Sequence, residues 1–237
     1  MFFKRVYAVV LAGGEGKRFD NSFPKQFFKI GEKSILEWAV EPFEVSKSIN
    51  EIILVVNDKY MDFARSLFKG PKYKKISKFI AGGKTRQESS RLGLENICDE
   101  DGVVLIHDAV RPFVLVEDIE RLITELRSFK AVTLAIPAKE TIAFAKDLVV
   151  ENIPPRDRMF IIQTPQGFHL SLIKEAHRKA LEDGFIEASD DCSLILRYFK
   201  EENIRLVIGN IWNIKITYAF DLKLAQALLS EGLIGGT

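Results

Sequence analysis

The chain has 237 residues, 47% of them hydrophobic and 28% charged, and its 34 Lys and Arg against 33 Asp and Glu leave a formal charge of +1. This composition excludes a disordered chain and is enough to bury one large core, while so even a balance gives no sign of a nucleic-acid-binding surface. Any charge that binds phosphate must therefore be gathered locally. Cys98 and Cys192 lie outside any ligand or CxxC spacing, so neither a zinc site nor a disulfide framework is expected and both read as buried free thiols. The apolar start is too short to span a membrane and lacks a signal-type cleavage site, which reads as a cytoplasmic protein.

In chain order, the apolar run Val6–Ala12 ends at Gly13 and Gly14, as a strand buried on both faces of a parallel sheet does. Ser34 and Glu37 fit a capping box, and Ile35, Leu36, Ala39, Val40 and Phe43 recur at helical spacing to about Val45. Strands over 52–56, 76–81, 103–106 and 131–136 then alternate with helices over 60–68, 87–97 and 116–129. This is the pattern of an α/β, Rossmann-like, doubly wound and mostly parallel sheet, with ligands beyond the carboxyl ends of its strands. After Pro137 the rhythm stops. The segment 138–162 has short alternating stretches, the pair Pro154-Pro155 and no helical period, and reads as a projecting β-arm. Helices over 169–183 and 190–199, strands over 204–208 and 214–217, and a helix capped by Asp221 and running through Leu229 complete one expected domain over 1–237.

The first strand leads into Leu11, Ala12, Gly13, Gly14, Glu15, Gly16, Lys17 and Arg18, with Pro24, Lys25 and Gln26 close behind. Glycines let the backbone approach a phosphate, and successive amide hydrogens form an anion nest. The loop is neither GxGxxG nor a Walker loop, but Lys17, Arg18 and Lys25 around one nest suit a triphosphate.

Ala12-Gly-Gly-x-Gly-x-Arg18 with Pro24-Lys25-Gln26 resembles the opening signature of the sugar- and polyol-phosphate nucleotidyltransferases. Five further strings narrow it: Gly82 to Ser89, His107 to Pro112, Gln163 to Phe168, Ser189 to Ser193 and Asn213 to Thr217. They stand in the order seen in the 2-C-methyl-D-erythritol 4-phosphate cytidylyltransferases, and the similarity spans nearly the whole chain. The resemblance implies CTP and a polyol phosphate as substrates, Mg2+ as the divalent cation, and a homodimer joined through the 138–162 arm. It implies Arg18, Lys25, Arg156 and Lys215 as the catalytic cations, the last two orienting the attacking phosphate, with Arg158 a rival to Arg156. Leu11, Ala12, Gly13, Gly14, Gly16 and Lys17 would line the CTP phosphates, and Gly82, Gly83, Arg86 and Ser89 would hold the base. Asp108 would lie near the ribose, the phosphates and the metal ion, and Arg111, Thr141, Thr164 and Ser189 on the acceptor side.

Gly13, where the methylerythritol enzymes usually have alanine, leans towards the ribitol-5-phosphate cytidylyltransferases, as do the strings 108–113 and 153–159. Arg86 to Ser89, and Gln166 to Phe168 ahead of the His169 helix, lean towards methylerythritol phosphate, the favoured acceptor; Cys192 replaces the usual alanine. Two readings of other classes are weighed as well. A nicotinamide-dependent dehydrogenase would share the βα rhythm but needs a GxGxxG this chain lacks, and a non-catalytic nucleotide-binding regulator would bind CTP without releasing pyrophosphate. His107, His169 and His177 have no ligand spacing and read as structural.

Overall fold

The structure, a computed structural model, describes residues 3–14 and 23–234. Strand β1 (Val6–Ala12) is followed by a small hairpin, β2 (Lys29–Ile30) and β3 (Lys33–Ser34), and by α1 (Ile35–Val45). The alternation continues as β4 (Glu51–Val56), α2 (Met61–Leu67), β5 (Ile76–Ala81), α3 (Arg86–Glu95), β6 (Val103–Asp108), α4 (Val116–Glu125) and β7 (Ala131–Pro137). A hairpin of β8 (Phe144–Lys146) and β9 (Val149–Asn152) leads to β10 (Phe160–His169), α5 (Leu170–Glu182), α6 (Asp191–Tyr198), β11 (Ile204–Ile208) and α7 (Ala219–Ser230). Ser34 and Glu37 form the expected capping box at the start of α1.

The seven-stranded sheet has the order β11-β7-β10-β6-β1-β4-β5. Every neighbouring pair is parallel except the two made by β10, which runs antiparallel to both β6 and β7. From β1 the chain winds outward to β4 and β5, then returns to lay β6 on the other side of β1. The crevice at the carboxyl ends of β1 and β6 is therefore the topological switch point, where open α/β sheets bind ligands.

The alternation of β1 divides the core. Val6, Ala8, Val10 and Ala12 pack with Leu36, Val40 and Phe43 of α1 and Ile119 and Leu122 of α4 on one face. Tyr7, Val9 and Leu11 pack with Leu94 of α3, Ile173 and Ala176 of α5 and Leu194 of α6 on the other. Gly93 lets α3 come down on this second face, since a Cβ there would stand 2.6 Å from Val9 Cγ1 and 3.0 Å from Val55 Cγ2. Any larger residue would lift the helix whose first turn carries Arg86.

Four expectations need correction. Residues 160–169 are a central strand rather than arm and loop; Pro165, which has no N–H, sits where the β10 register shifts between Ile162 and Gln166, and that break hid the strand. Residues 214–217 are not a strand, because their backbone makes isolated bonds, Ile214 N–H to Trp212 O and Ile216 N–H to Val110 O, and their alternation serves to bury Ile216 in a third cluster with Ile30, Ile35, Phe113 and Ala225. Asp221 does cap α7, but from its third position in a capping box rather than from the residue before the helix, which is Tyr218; its carboxylate accepts from the N–H groups of Thr217 and Tyr218, both at 2.8 Å. Cys98 is exposed, because α3 ends at Glu95 and leaves it in the following loop, whereas Cys192 is buried; both are free.

Candidate active site

Two glycine turns meet at the switch point. A Cβ on Gly13 would stand 3.2 Å from Ser89 Oγ and 3.7 Å from Gly82 Cα, and one on Gly82 would stand 3.4 Å from Gly13 Cα, so the turns after β1 and β5 touch backbone to backbone. The Ser89 hydroxyl accepts from Gly83 N–H at 3.1 Å and donates to Thr85 O at 2.9 Å, which fixes the second turn. Gln26, 1% exposed, fastens the first: its Nε2 donates to Ala12 O at 2.7 Å and to Gly14 O at 3.1 Å. Lys25 opens the one-turn helix Lys25–Phe27 and so stands beside that turn. Gly16, Lys17 and Arg18 lie outside the described residues.

Asp108 ends β6 in register with Leu11 of β1 and is buried. Its Oδ1 accepts from Arg86 Nε at 2.9 Å and its Oδ2 from Lys215 Nζ at 2.8 Å. Arg86 reaches on with Nη1 to Asp191 Oδ2 at 2.7 Å, and Nη2, also buried, is without a partner among the described residues. Asp191 is 0% exposed and its other oxygen accepts from Ser90 Oγ at 2.6 Å and from His177 Nε2 at 3.0 Å.

Burial, the largest influence on each carboxyl, pushes it up, but Arg86 first and then Lys215 at Asp108, or His177 at Asp191, outweigh it. Both acids are held well below the usual carboxylate range. Burial likewise opposes the charge on Arg86, and Asp108 and Asp191 together outweigh it, holding the guanidinium more firmly charged than usual. The result is a fixed chain of alternating charge, Lys215–Asp108–Arg86–Asp191, at the crevice.

Behind Asp108 lies a neutral relay. His107 Nε2 faces the carbonyl of Arg111 at 3.0 Å, an acceptor, so that nitrogen carries the hydrogen. Nδ1 then accepts from the Thr164 hydroxyl at 3.0 Å, and the same hydroxyl accepts from Asp108 N–H at 3.0 Å. Burial lowers the His107 pKa to about 4, so the ring is neutral at physiological pH. Arg111 donates to the carbonyls of Asn213, at 2.8 Å, and Ile162, at 3.3 Å, and Asn213 Nδ2 donates to Thr164 O at 2.9 Å. Arg111 and Thr164, expected on the acceptor side, thus engage the protein itself and hold Asp108 and the segment carrying Lys215.

Ser189 is exposed one residue before Asp190, which caps α6 by accepting from Ser193 N–H. Thr141 and Arg156 lie exposed in the arm, bonded to each other at 2.9 Å; among the described residues neither is bonded to Arg86, Asp108 or Lys215. Sequence reasoning missed three residues. Asp191 anchors Arg86, Gln26 clamps the first turn, and Gln166 ties β10 to α6 by donating to Asp190 Oδ2 at 2.7 Å and accepting from Asp191 N–H at 3.0 Å. Each lay inside a string already singled out, Pro24 to Gln26, Gln163 to Phe168 and Ser189 to Ser193, but nothing local in those strings shows what the side chain touches.

A mostly parallel sheet with two glycine turns and a cation-held carboxylate at its switch point defines a nucleotide-handling α/β fold of the nucleotidyltransferase kind. The family model described as IspD, 2-C-methyl-D-erythritol 4-phosphate cytidylyltransferase, matches residues 6–231. The protein of that name from Thermosipho melanesiensis is 40% identical over 232 residues, 96% of this chain and 99% of its own. The one from Thermobifida fusca is 36% identical over 237 residues, 97% of this chain and 95% of its own. Among solved structures, 4-diphosphocytidyl-2C-methyl-D-erythritol synthase from Anaerococcus prevotii superposes with a TM-score of 0.85 at 32% identity, covering 96% of each chain. The chain belongs to the 2-C-methyl-D-erythritol 4-phosphate cytidylyltransferase family, a family of nucleotidyltransferase enzymes. The leaning towards the ribitol-5-phosphate enzymes is not favoured by these matches.

Proposed function

We infer that the protein joins 2-C-methyl-D-erythritol 4-phosphate to the cytidine monophosphate part of CTP, releasing pyrophosphate, in isoprenoid precursor synthesis. The observation that carries this reading, beside family membership, is the buried Asp108 held between Arg86 and Lys215 where the turns of Gly13 and Gly82 meet. A phosphate monoester is already an anionic nucleophile, so no general base is required. Its oxygen forms a bond to the α-phosphorus as the bond from that phosphorus to the bridging oxygen breaks, and pyrophosphate leaves with the electron pair. Catalysis is then alignment and charge stabilisation.

In this reading the turn of Leu11, Ala12, Gly13 and Gly14 lies along the triphosphate, with Gly16 and Lys17 continuing it, and Arg18 and Lys25 meet the charge growing on the transferring group. Gly82, Gly83 and Ser89 form the rigid turn against the base, and the unmatched Nη2 of Arg86 is a donor left for the nucleotide. Lys215, with its side chain 44% exposed, is free enough to move from Asp108 towards the acceptor phosphate. Among the described residues no three His, Cys, Asp or Glu converge as a metal cage. The donor set fits Mg2+ carried in by phosphates, an ion that takes one or two carboxylates and keeps several waters, and Asp108 is the residue that would hold it. When bound, it would neutralise phosphate charge.

The arm supports a homodimer whose partner brings Thr141 and Arg156, or its neighbour Arg158, to the acceptor. Asp147 and Leu148, with φ of 50° and 65°, form the two-residue turn between β8 and β9, and Leu148, Val149, Val150 and Ile153 are all exposed apolar side chains. A cytoplasmic location belongs to the same proposal and agrees with free thiols at Cys98 and Cys192; no described helix is long and apolar enough to cross a membrane. The decisive experiment offers purified protein, CTP and magnesium either methylerythritol 4-phosphate or ribitol 5-phosphate and measures pyrophosphate. Release with the first alone is expected; release with the second alone, or with neither, would overturn the proposal.

A further inference from the structure

The one-turn helix that carries Lys25 is held from two sides. On one, Gln26 bonds to the carbonyls of Ala12 and Gly14. On the other, the residues flanking Lys25 turn aromatic rings towards α2. Phe23 meets Tyr60, just ahead of α2, and Phe63, within it, edge to face at ring-centroid distances of 5.7 and 5.5 Å. Phe27 meets Phe63 edge to face at 5.0 Å and Tyr60 at 5.7 Å, and the rings of Phe23 and Phe27 lie 5.5 Å apart. The backbone between these rings is itself fastened, Phe27 N–H donating to Pro24 O and Phe28 N–H to Lys25 O, both at 3.0 Å. Phe27 is 5% exposed and belongs to the core, whereas Phe63 is 42% exposed, so Phe63 contributes its edge contacts more than core burial.

We propose that Phe63 is a positioning residue for the transfer reaction: its ring, met by both Phe23 and Phe27, fixes the tilt of the short helix between them and so the direction in which Lys25 meets the transferring phosphoryl group. The proposal rests on the reading of Lys25 as a cation at that group. Edge-to-face ring pairs prefer a particular angle as well as a distance, so a ring caught by two others resists rotation where an aliphatic side chain of similar bulk would not. Catalysis by alignment is sensitive to such tilt, since a misplacement of about 1 Å can cost roughly a hundredfold in rate.

The test is a double-mutant cycle in kcat with methylerythritol 4-phosphate, read beside the CTP KM and the urea midpoint. Phe63→Ala should lower kcat about tenfold and change the CTP KM less than about threefold, and Phe63→Tyr, which keeps the ring, should restore kcat to within about twofold. With Lys25→Ala costing about a hundredfold, the pair together should cost about a hundredfold rather than a thousandfold, because Phe63 acts only through Lys25. Phe68→Leu is the control: Phe68 is 7% exposed and packs edge to face on Tyr73 at 4.8 Å, so this change should lower the urea midpoint at least as much as Phe63→Ala and leave kcat as it is. Full kcat in Phe63→Ala, losses that multiply in the double variant, no recovery in Phe63→Tyr, or an equal kcat loss in Phe68→Leu would each overturn the positioning role. An unchanged kcat in Lys25→Ala alone would instead remove the reading of Lys25, and the role of Phe63 with it.

Discussion

Lys215 and Asp108 are 107 positions apart, yet Lys215 Nζ donates to Asp108 Oδ2 across 2.8 Å, so the end of β6 and a late irregular segment are joined at the crevice by one charged contact. That contact is held from both sides. Arg86 grips the other oxygen of Asp108, and Asn213, two residues before Lys215, bonds to Thr164, whose hydroxyl receives Asp108 N–H.

Lys215→Ala and Lys25→Ala should each lower kcat by about a hundredfold, ~3 kcal/mol, the worth of one preorganised charge at a reacting phosphate. Steady-state kinetics with separate titrations of CTP and acceptor check this. The CTP KM should change only a few-fold; an equal loss in kcat and CTP affinity would reduce either lysine to a binding charge.

Asp191→Asn removes the carboxylate that faces Arg86, Ser90 and His177 inside the protein. Breaking a buried pair from one side costs about 3–5 kcal/mol, so the urea midpoint should fall clearly, with turnover falling alongside as Arg86 loses its anchor. Unchanged stability with unchanged turnover would show that Asp108 alone positions Arg86.

Stability should decline as the pH falls from about 6.5 towards 4. Burial holds the folded His107 pKa at about 4 against an ordinary 6.5, so above 6.5 the ring is neutral in both states and its contribution is full. Between the two values the unfolded chain takes up a proton that the folded chain refuses, at a cost of about 3 kcal/mol in all. Asp108 and Asp191, whose folded pKa values are depressed, add a further loss that begins as the pH falls below about 4. Urea denaturation at pH 7.5 and pH 5 tests the first window, and His107→Gln should flatten it.

Gln26→Leu leaves the carbonyls of Ala12 and Gly14 without their side-chain donor at nearly the same volume. A stability loss of about 2 kcal/mol is expected, with kcat/KM for CTP falling roughly tenfold as the turn loosens. Denaturation and kinetics on the same preparation separate the two effects.

Leu148→Glu with Val150→Glu places charge on the exposed apolar hairpin. Light scattering should show a monomer, with activity reduced because Thr141 and Arg156 no longer reach a neighbouring site. A fully active monomer would remove the shared-site proposal.

Sequence by itself determined the alternating scaffold and the first glycine turn, because both are written in local periods: a run such as Val6–Ala12 is apolar throughout when both faces are covered, and Ile35 to Phe43 repeats at helical spacing when one face is. It also pointed to Asp108 and Lys215, though only through a resemblance. Tertiary structure decided the rest. That β10 enters the sheet antiparallel between β6 and β7 depends on hydrogen bonds to strands far away in sequence, and Pro165 obscures the pattern that would announce it. That Arg86 is clamped between Asp108 and Asp191, 22 and 105 positions away, depends on burial, which removes competing water and makes each charge require the next. Neither fact has a local period, so neither was legible before the chain was folded.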